Sequence, residues 1–179
     1  MKKILVGLFL SVLCSVVMGE EQHDFRKVNF GWSLEQVLAA EDAIFQELED
    51  LGDRVRCFTG VVSLFGKQVP LGYYFADDRL YQAYYLISEG VADETFLALL
   101  IKTLSAKYGQ YLREYPEEGK TLYAWISGDH VLIRVYVKSV FDRVNEIDIL
   151  INHNEEQKHA TKVQNEVAAN QINDAQNNF

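Results

Sequence analysis

The sequence predicts an α+β domain, a two-layer sandwich in which two helices cover one face of an antiparallel sheet of about six strands. Two stretches place apolar residues at spacings of three and four, which is typical of amphipathic helices. Six shorter stretches alternate apolar and polar residues or are rich in β-branched and aromatic residues, as strands are. Short turn sequences join these strands, and strands joined in this way pair antiparallel. The predicted order is therefore helix, three strands, helix, three strands.

The first predicted helix covers residues 34–51, and Gly52 is expected to end it. Its apolar residues fall on a single helical face: Leu34, Val37, Leu38, Ile44, Phe45, Leu48 and Leu51. Ser33 stands at the expected N-cap and Gln36 follows three residues later, which is the pattern of a capping box. We therefore expect a helix of about five turns at the start of the domain.

Trp32 stands between Gly31 and the expected N-cap of this helix. Val37 is the fourth residue inside the helix, and apolar residues at these two positions commonly pack on each other as a hydrophobic staple. Gly31 would permit the bend that precedes the helix. We expect Trp32 to fix the start of the helix, and the alternative is a Trp32 that faces a ligand.

Three strands are predicted between the two helices, at residues 55–65, 69–75 and 80–88. The sequences "FGKQ" and "ADDR" separate these strands and are typical of turns. Alternation in the second strand places one set on a single face: Val69, Leu71, Tyr73 and Phe75. In the third strand the same reasoning directs these residues to the core: Tyr81, Ala83, Tyr85 and Ile87.

The second predicted helix runs from about Asp93 to Tyr108. Acidic residues lie at its start, while Lys102 and Lys107 lie towards its end, an order that complements the helix dipole. Gly109 follows the last turn, where glycine commonly ends a helix. A broad apolar stripe predicts that this helix packs on the sheet through Phe96, Leu97, Leu100, Ile101 and Leu104.

Three further strands are predicted at residues 121–127, 130–138 and 144–152. A hairpin turn at Gly128-Asp129 is expected to join the first two of them. The sequences "DRLY" at Asp78 and "DRVN" at Asp142 occupy matching turns in the two halves of the chain. This correspondence indicates a loose internal repeat of architecture.

The first 19 residues have the order of a secretory signal peptide: "KK", an uncharged apolar run over residues 4–18, and a cut before Glu20. A retained membrane anchor is the alternative, but a spanning helix needs about 20 apolar residues, and this run is shorter. Cys14 allows a lipoprotein hypothesis, yet the bulky Leu13 precedes it where a small residue is usual. We expect an exported protein, periplasmic or secreted, with no transmembrane segment after cleavage.

The expected mature chain is strongly acidic. Without Lys2 and Lys3 it carries 15 of the 17 basic residues and all 26 acidic residues, a net charge of −11. Such a charge repels nucleic acid and anionic lipid, so neither is an expected partner. Only Cys57 remains after cleavage, which excludes an internal disulfide and favours a small buried hydrophobic residue.

The composition changes after residue 153. Residues 154–179 are rich in Asn and Gln, lack Gly and Pro, and contain one aromatic residue. Val163, Val167 and Ile172 are too sparse to hold a helix without a partner. The sequence therefore predicts a single domain over residues 20–153, followed by a disordered tail or a weak solvent-exposed helix.

Few residues suggest chemistry. His153 and His159 stand near Glu155 and Glu156, but their spacing matches no zinc motif, and they begin the polar tail. The sequence contains no Gly-x-Ser-x-Gly motif and no glycine-rich phosphate loop. We therefore predict no catalytic residues, no metal and no cofactor, and a protein that is not an enzyme.

The sheet face opposite the two helices is the predicted working surface. If the helices cover the face of Val69, Leu71, Tyr73, Val131, Ile133, Val135, Ile147 and Ile149, alternation turns their neighbours to the other face. Those neighbours are Tyr74, Tyr84, Leu86, Leu132, Arg134, Tyr136 and Leu150, together with Tyr123 and Trp125 if their strand has the same phase. Tyr, Trp and Arg anchor many protein interfaces. The candidate binding residues are Tyr74, Tyr84, Trp125, Arg134 and Tyr136.

A second core is the alternative for this face. A curled sheet, the polar tail or a second copy of the chain could cover it, since exposed apolar patches are uncommon on monomers.

The segment "FRKVNFGWSLEQVLAAE", residues 25–41, resembles the Phe-Arg-x-x-x-Trp-Gly-Met-Ser-x-x-x-Val opening of uncharacterised bacterial secreted proteins. The likeness continues through "LGYYFADDRLYQAYYLI" and "LSAKYGQY". The layout is also similar to the small SmpA/OmlA-like outer-membrane-assembly lipoproteins and the β-lactamase-inhibitor proteins, which bind other proteins. This chain departs from the opening motif, because "FGW" stands where the family has Trp-Gly-Met. The resemblance implies a small α+β envelope domain.

We predict a secreted or periplasmic binding domain, without catalytic activity, that acts on a protein or a component of the cell envelope. One alternative is an enzyme, such as a hydrolase, whose site converges only in three dimensions. Another is a purely structural envelope protein. A deep pocket with perturbed titratable groups would favour the enzyme, whereas a broad exposed aromatic sheet face would favour binding.

Overall fold

The computed structural model describes residues 24–48, 54–117, 119–128, 130–140 and 143–177. The predicted signal peptide, Gly52 and Asp129 lie outside these ranges. The helices are α1 (Leu34–Ala40), α2 (Glu94–Tyr108) and α3 (Asn154–Asn177). The strands are β1 (Phe45–Glu47), β2 (Val55–Leu64), β3 (Lys67–Ala76), β4 (Arg79–Ile87), β5 (Leu112–Glu117), β6 (Lys120–Ser127), β7 (Val131–Val140) and β8 (Arg143–His153). Within the described ranges, no helix combines the length and the apolar character that crossing a membrane requires.

All eight strands form a single antiparallel sheet in the order β1-β2-β3-β4-β8-β7-β6-β5. Two four-stranded meanders therefore lie side by side and meet at β4 and β8, and each meander follows a helix in the chain. The predicted α+β class and antiparallel pairing are confirmed. The predicted counts are too low, because β1 and β5 were missed and the third helix was predicted only as an alternative to a disordered tail. β1 and β5 are edge strands that pair on one side only, so their sequences carry little of the alternation that identifies a strand.

Different helices pack on the two faces of the sheet. We call the face that packs against α1 and α2 the inner face, and the opposite one the outer face. The main core lies on the inner face, where Val37 of α1 and Phe96 and Leu100 of α2 are buried among strand residues. The predicted core-facing residues of β3, β7 and β8 are all buried in this core: Val69, Leu71, Tyr73, Val131, Ile133, Val135, Ile147 and Ile149.

The start of α1 is confirmed, and its predicted length is wrong. Ser33 and Gln36 form both hydrogen bonds of a capping box, and Trp32 packs on the core that contains Val37. The helix ends at Ala40, however, and Phe45 lies in β1 opposite Gly60 of β2. Residues 45–47 pair with β2 although the pattern of residues 44–48 is helical. The strand hydrogen bonds satisfy the backbone there, and the sheet buries part of Phe45.

A bulge changes the predicted face of Tyr81. Tyr73 pairs with Ala83, but Phe75 pairs with Leu80, so β4 contains one extra residue beside β3. Leu80 therefore takes the inner face, and Tyr81 is buried on the outer face instead. The prediction that Tyr81 faces the main core is wrong for this reason, while Ala83, Tyr85 and Ile87 face it as predicted.

The polar tail forms α3, which is the helical alternative of the prediction, and it packs on the outer face instead of standing free in solvent. Ala160 and Val163 are buried in a second, smaller core with Val55, Ala76 and Tyr81. The sheet supplies the partner that so polar a helix needs. Two arginines, Arg54 just before β2 and Arg79 at the start of β4, also bind α3. Arg54 donates to Glu166 and to Asp77, and Arg79 donates to both carboxylate oxygens of Glu156.

Candidate functional site

The outer face is covered by α3 over one part only. The second core, under α3, gathers side chains from β2, β3 and β4. We call the outer-face residues outside this cluster, on β4 to β8, the open half. It comprises Tyr84, Leu86, Leu112, Leu122, Ala124, Ile126, Leu132, Arg134, Tyr136, Asp148 and Leu150, and it is bordered on the same face by the charged residues Glu114, Lys120, Lys138 and Glu146.

The predicted binding residues divide into three groups. Tyr84, Arg134 and Tyr136 lie together on the open half, each partly exposed. Tyr74 lies at the border and packs against the second core under α3. Trp125 is on the wrong face: it pairs with Ile133, lies on the inner face and is 0% exposed. The prediction assumed that the odd-numbered residues of β6 face outward. Pairing with β7 fixes the register of β6 so that they face inward.

Aromatic rings mark the border between the covered part and the open half. The ring centroids of Tyr74 and Tyr84 lie 5.5 Å apart, and those of Tyr74 and Tyr81 lie 6.1 Å apart. Burial raises the pKa of Tyr74 to about 12. Cys57, the residue opposite Tyr74 on β2, is buried, and burial also raises the pKa of its thiol. The thiol therefore stays protonated and unreactive, as a small apolar residue of the sheet.

A chain of amide hydrogen bonds connects Arg134 to α3. The Arg134 guanidinium donates to Oδ1 of Asn152 over 2.9 Å. The Asn152 amide then donates to Gln82 of β4 over 2.8 Å and to Gln157 of α3 over 2.7 Å. Asn152 is buried, so these bonds satisfy polar groups that water does not reach. The chain holds the Arg134 side chain beside the α3 edge of the open half.

Asp148 is a polar residue of the open half that the sequence analysis did not single out. It pairs with Leu86 on one side and with Tyr136 on the other, so it lies among the apolar side chains of this surface. Burial, and next the negative charge of Glu146, raise the pKa of Asp148. Its Oδ1 atom is buried without a hydrogen-bond partner among the described residues. The alternation in "NEIDILIN" was the available signal, since it puts Asp148 on the same face as Leu150.

A buried ion pair that the sequence analysis did not predict lies on the inner face. Arg26 donates from two nitrogens to the carboxylate of Glu41 over 3.1 and 3.2 Å, and Tyr73 donates to the same carboxylate over 2.5 Å. Arg26 also donates to Tyr85. Both oxygens of Glu41 are thus occupied, which leaves no free base there. The cluster anchors the Phe25-Arg26 segment of the opening motif to the core.

The histidines and glutamates near the start of α3 do not form a site. Glu156 binds Arg79, Glu155 binds Lys158, and His153 stacks on the ring of His130. Among the residues that the structure describes, no group of three or more His, Cys, Asp and Glu side chains could hold a metal ion. Glu155 and Glu156 are thus engaged in ion pairs, whereas the open half exposes large apolar side chains that could contact a partner.

Comparisons with protein-family models, with curated proteins and with solved structures found no match. The resemblance to secreted envelope proteins therefore stays a prediction. A functional proposal rests on the fold and on the surfaces described above.

Proposed function

We propose that this protein is a binding domain, without catalytic activity, that engages another protein or an envelope component through the open half of the outer face. The observation that carries this proposal is the exposure of large apolar side chains on that surface. Leu86 is 44% exposed, Leu112 62% and Ile126 63%, and all three lie on the same sheet face as the half-buried Tyr84 and Tyr136. Apolar patches of this kind on a folded domain commonly mark interaction sites.

The composition of the open half also supports binding. Tyrosine and arginine are enriched in the energetically important parts of interfaces, and the open half contains Tyr84, Tyr136 and Arg134. These side chains project from neighbouring strands of a continuous sheet, which gives them fixed positions. A rigid surface loses little conformational entropy when a partner binds.

The neighbouring part of the same face shows what such a surface can hold. There α3 lies on the sheet with Ala160 and Val163 buried and with arginine pairs at Glu156 and Glu166. The open half has a similar mixture of apolar side chains around one guanidinium. We infer that it accepts a partner that buries apolar side chains there and offers an acceptor to Arg134. Export through the predicted signal peptide would place that partner outside the cytoplasm.

Charge insertion into the open half tests the proposal. Leu86→Asp and Ile126→Asp change exposed side chains, so the domain should stay folded, with a melting temperature close to that of the parent. The matched control is Ile172→Asp, which changes an exposed apolar residue of α3 outside this surface. The mature domain is used to capture partners from envelope extracts, and the captured component is then purified and its affinity measured for each variant.

A loss of affinity in Leu86→Asp and Ile126→Asp, with full affinity in Ile172→Asp, would support the proposal. Equal affinity in all three variants would place the binding surface elsewhere. A purified domain that captures no component at all would also contradict a binding function.

A further inference from the structure

A cleft lies between the end of α2 and the start of β5. Its volume is about 640 Å³, and the described residues that line it are Ser105, Gly109, Gln110 and Tyr111. This volume is within the range of small-molecule sites. The cleft is separate from the open half, because Tyr111 packs on Trp125, which belongs to the inner face of the sheet. An inference about it is therefore independent of the proposed function.

Aromatic rings form one wall of the cleft. The ring of Tyr111 lies 5.2 Å from that of Tyr123 and 5.3 Å from that of Trp125, measured between centroids. Tyr123 and Trp125 are buried, whereas Tyr111 is 38% exposed and belongs to neither a helix nor a strand. The two buried rings thus support Tyr111 from behind and leave part of it accessible to a ligand.

One buried polar atom beside the cleft has no hydrogen-bond partner among the described residues. It is Oγ of Ser105, and Ser105 lines the cleft. A buried polar group without a partner is costly, so such groups are rare in folded proteins. A bound ligand or water that exchanges hydrogen bonds with this hydroxyl would remove the cost. Its position beside a cleft indicates a site that is completed by binding.

The described lining residues favour a neutral ligand, because none of them is Asp, Glu, Lys, Arg or His. The nearby Arg113 places its guanidinium over the rings of Tyr115 and Tyr123, at 5.0 and 5.3 Å from their centroids. An anionic ligand would therefore find no free cation among the described lining residues.

We propose that this cleft binds a neutral sugar. The C–H face of a sugar ring can pack on the exposed part of Tyr111, as apolar groups pack on aromatic rings. Its hydroxyl or acetamido groups can exchange hydrogen bonds with the Ser105 hydroxyl and the Gln110 amide, which both donate and accept. A sugar, which has both an apolar face and hydroxyl groups, fits an aromatic wall with a few polar groups beside it. A purely apolar ligand fits less well, because it would leave the Ser105 hydroxyl without a partner.

The two tryptophans of the chain permit a direct test. In a Trp32→Phe variant, tryptophan fluorescence reports on Trp125 alone. We expect its emission to change saturably when N-acetylglucosamine is added in the millimolar range, and glucose serves as the probe without an acetamido group. In the otherwise unchanged protein, the indole N–H resonance of Trp125 should shift over the same concentrations, which provides a second measurement if Trp32→Phe folds poorly.

Substitutions of the residues that line the cleft distinguish specific sugar binding from nonspecific adsorption to the protein surface. Tyr111→Ala should weaken binding by about tenfold or more, and Ser105→Ala by a few-fold. The control is Tyr115→Ala, which removes an exposed ring outside the described lining and should leave binding unchanged. A flat titration with both sugars would mean that water alone occupies the cleft and would overturn the proposal. Equal binding by Tyr111→Ala and the parent would overturn it as well.

Discussion

The ring of Tyr84 lies directly on the backbone of Gly72. The two residues are paired across β3 and β4, and a Cβ atom at Gly72 would lie 1.9 Å from Cε1 of Tyr84 and 2.3 Å from Cζ. Only glycine leaves room for the ring in this position. The contact keeps Tyr84 flat on the outer face, beside Tyr74 and at the edge of the open half.

Gly72→Ala should lower the free energy of unfolding by about 1 to 3 kcal/mol, because the added methyl group displaces the Tyr84 ring. In a Tyr84→Ala background the obstacle is absent, and alanine is favoured over glycine in a strand by roughly 0.5 to 1 kcal/mol. The same substitution should then be neutral or stabilising. Denaturant unfolding of the four proteins of this double-mutant cycle measures the coupling. Strictly additive effects would contradict the contact.

Val163→Ala should lower the free energy of unfolding by about 1 to 2 kcal/mol, because Val163 is buried between α3 and the sheet. The matched control is Ile172→Ala on the same helix, which is 59% exposed and should change stability by less than about 0.5 kcal/mol. Removal of all residues after His153 should lower the melting temperature by many degrees, since it exposes Tyr81. An unchanged melting temperature would mean that α3 does not hold to the sheet.

Glu41→Gln should destabilise the protein by about 3 kcal/mol, because it leaves the Arg26 guanidinium without its carboxylate in a largely buried position. Thermal and denaturant unfolding measure the loss. Glu47→Gln is the control: Glu47 pairs with Arg56 on an exposed edge, and its substitution should have little effect. Similar stability in the two variants would show that the buried pair has no special role.

Asp148→Asn should stabilise the protein at pH 7, by on the order of 0.5 kcal/mol because the side chain is partly exposed. The pKa of Asp148 is raised in the folded state from its ordinary value of 3.8, so the folded protein binds this proton more tightly than the unfolded chain. Stability therefore falls as the pH rises from about 4 through the raised pKa. The greater stability of Asp148→Asn relative to the parent should disappear at pH values below about 4, where Asp148 is protonated in both the folded and the unfolded chain.

Melting temperatures measured between pH 3 and pH 7 test the Asp148 prediction. Glu114→Gln, which changes an exposed carboxylate on the same face, is the control for the general change in net charge. A pH-independent difference between Asp148→Asn and the parent would contradict the assignment.

The elements that were predicted correctly are those whose sequence patterns lie within a few neighbouring residues. The second helix begins next to Asp93, which is its N-cap, and ends at Gly109 with a φ of 84°, close to the predicted bounds. In the strands that contain Tyr73 and Ile149, the residues predicted to face the core are buried, because their side chains alternate between the two faces of the sheet. Most of the open half followed from this alternation, including Tyr84, Arg134 and Tyr136.

The errors come from residues whose state depends on distant partners. Phe45 joins a strand because β2 is beside it, although its local pattern is helical. Trp125 faces the inner core because β7 fixes the register of β6, and a shift of one residue reverses every side chain of a strand. No local pattern contains this information.

By itself, the sequence determined the α+β class, the capped start of α1, the bounds of α2, and the alternating faces of the central strands. These features depend on hydrogen bonds and side-chain spacings within a few residues of one another. The tertiary structure alone decided that α3 packs on the outer face, since Val163 gains a partner only when Val55, Ala76 and Tyr81 are brought together. It also decided how much of that face stays open for a partner, because coverage is a relation between segments that are far apart in the chain.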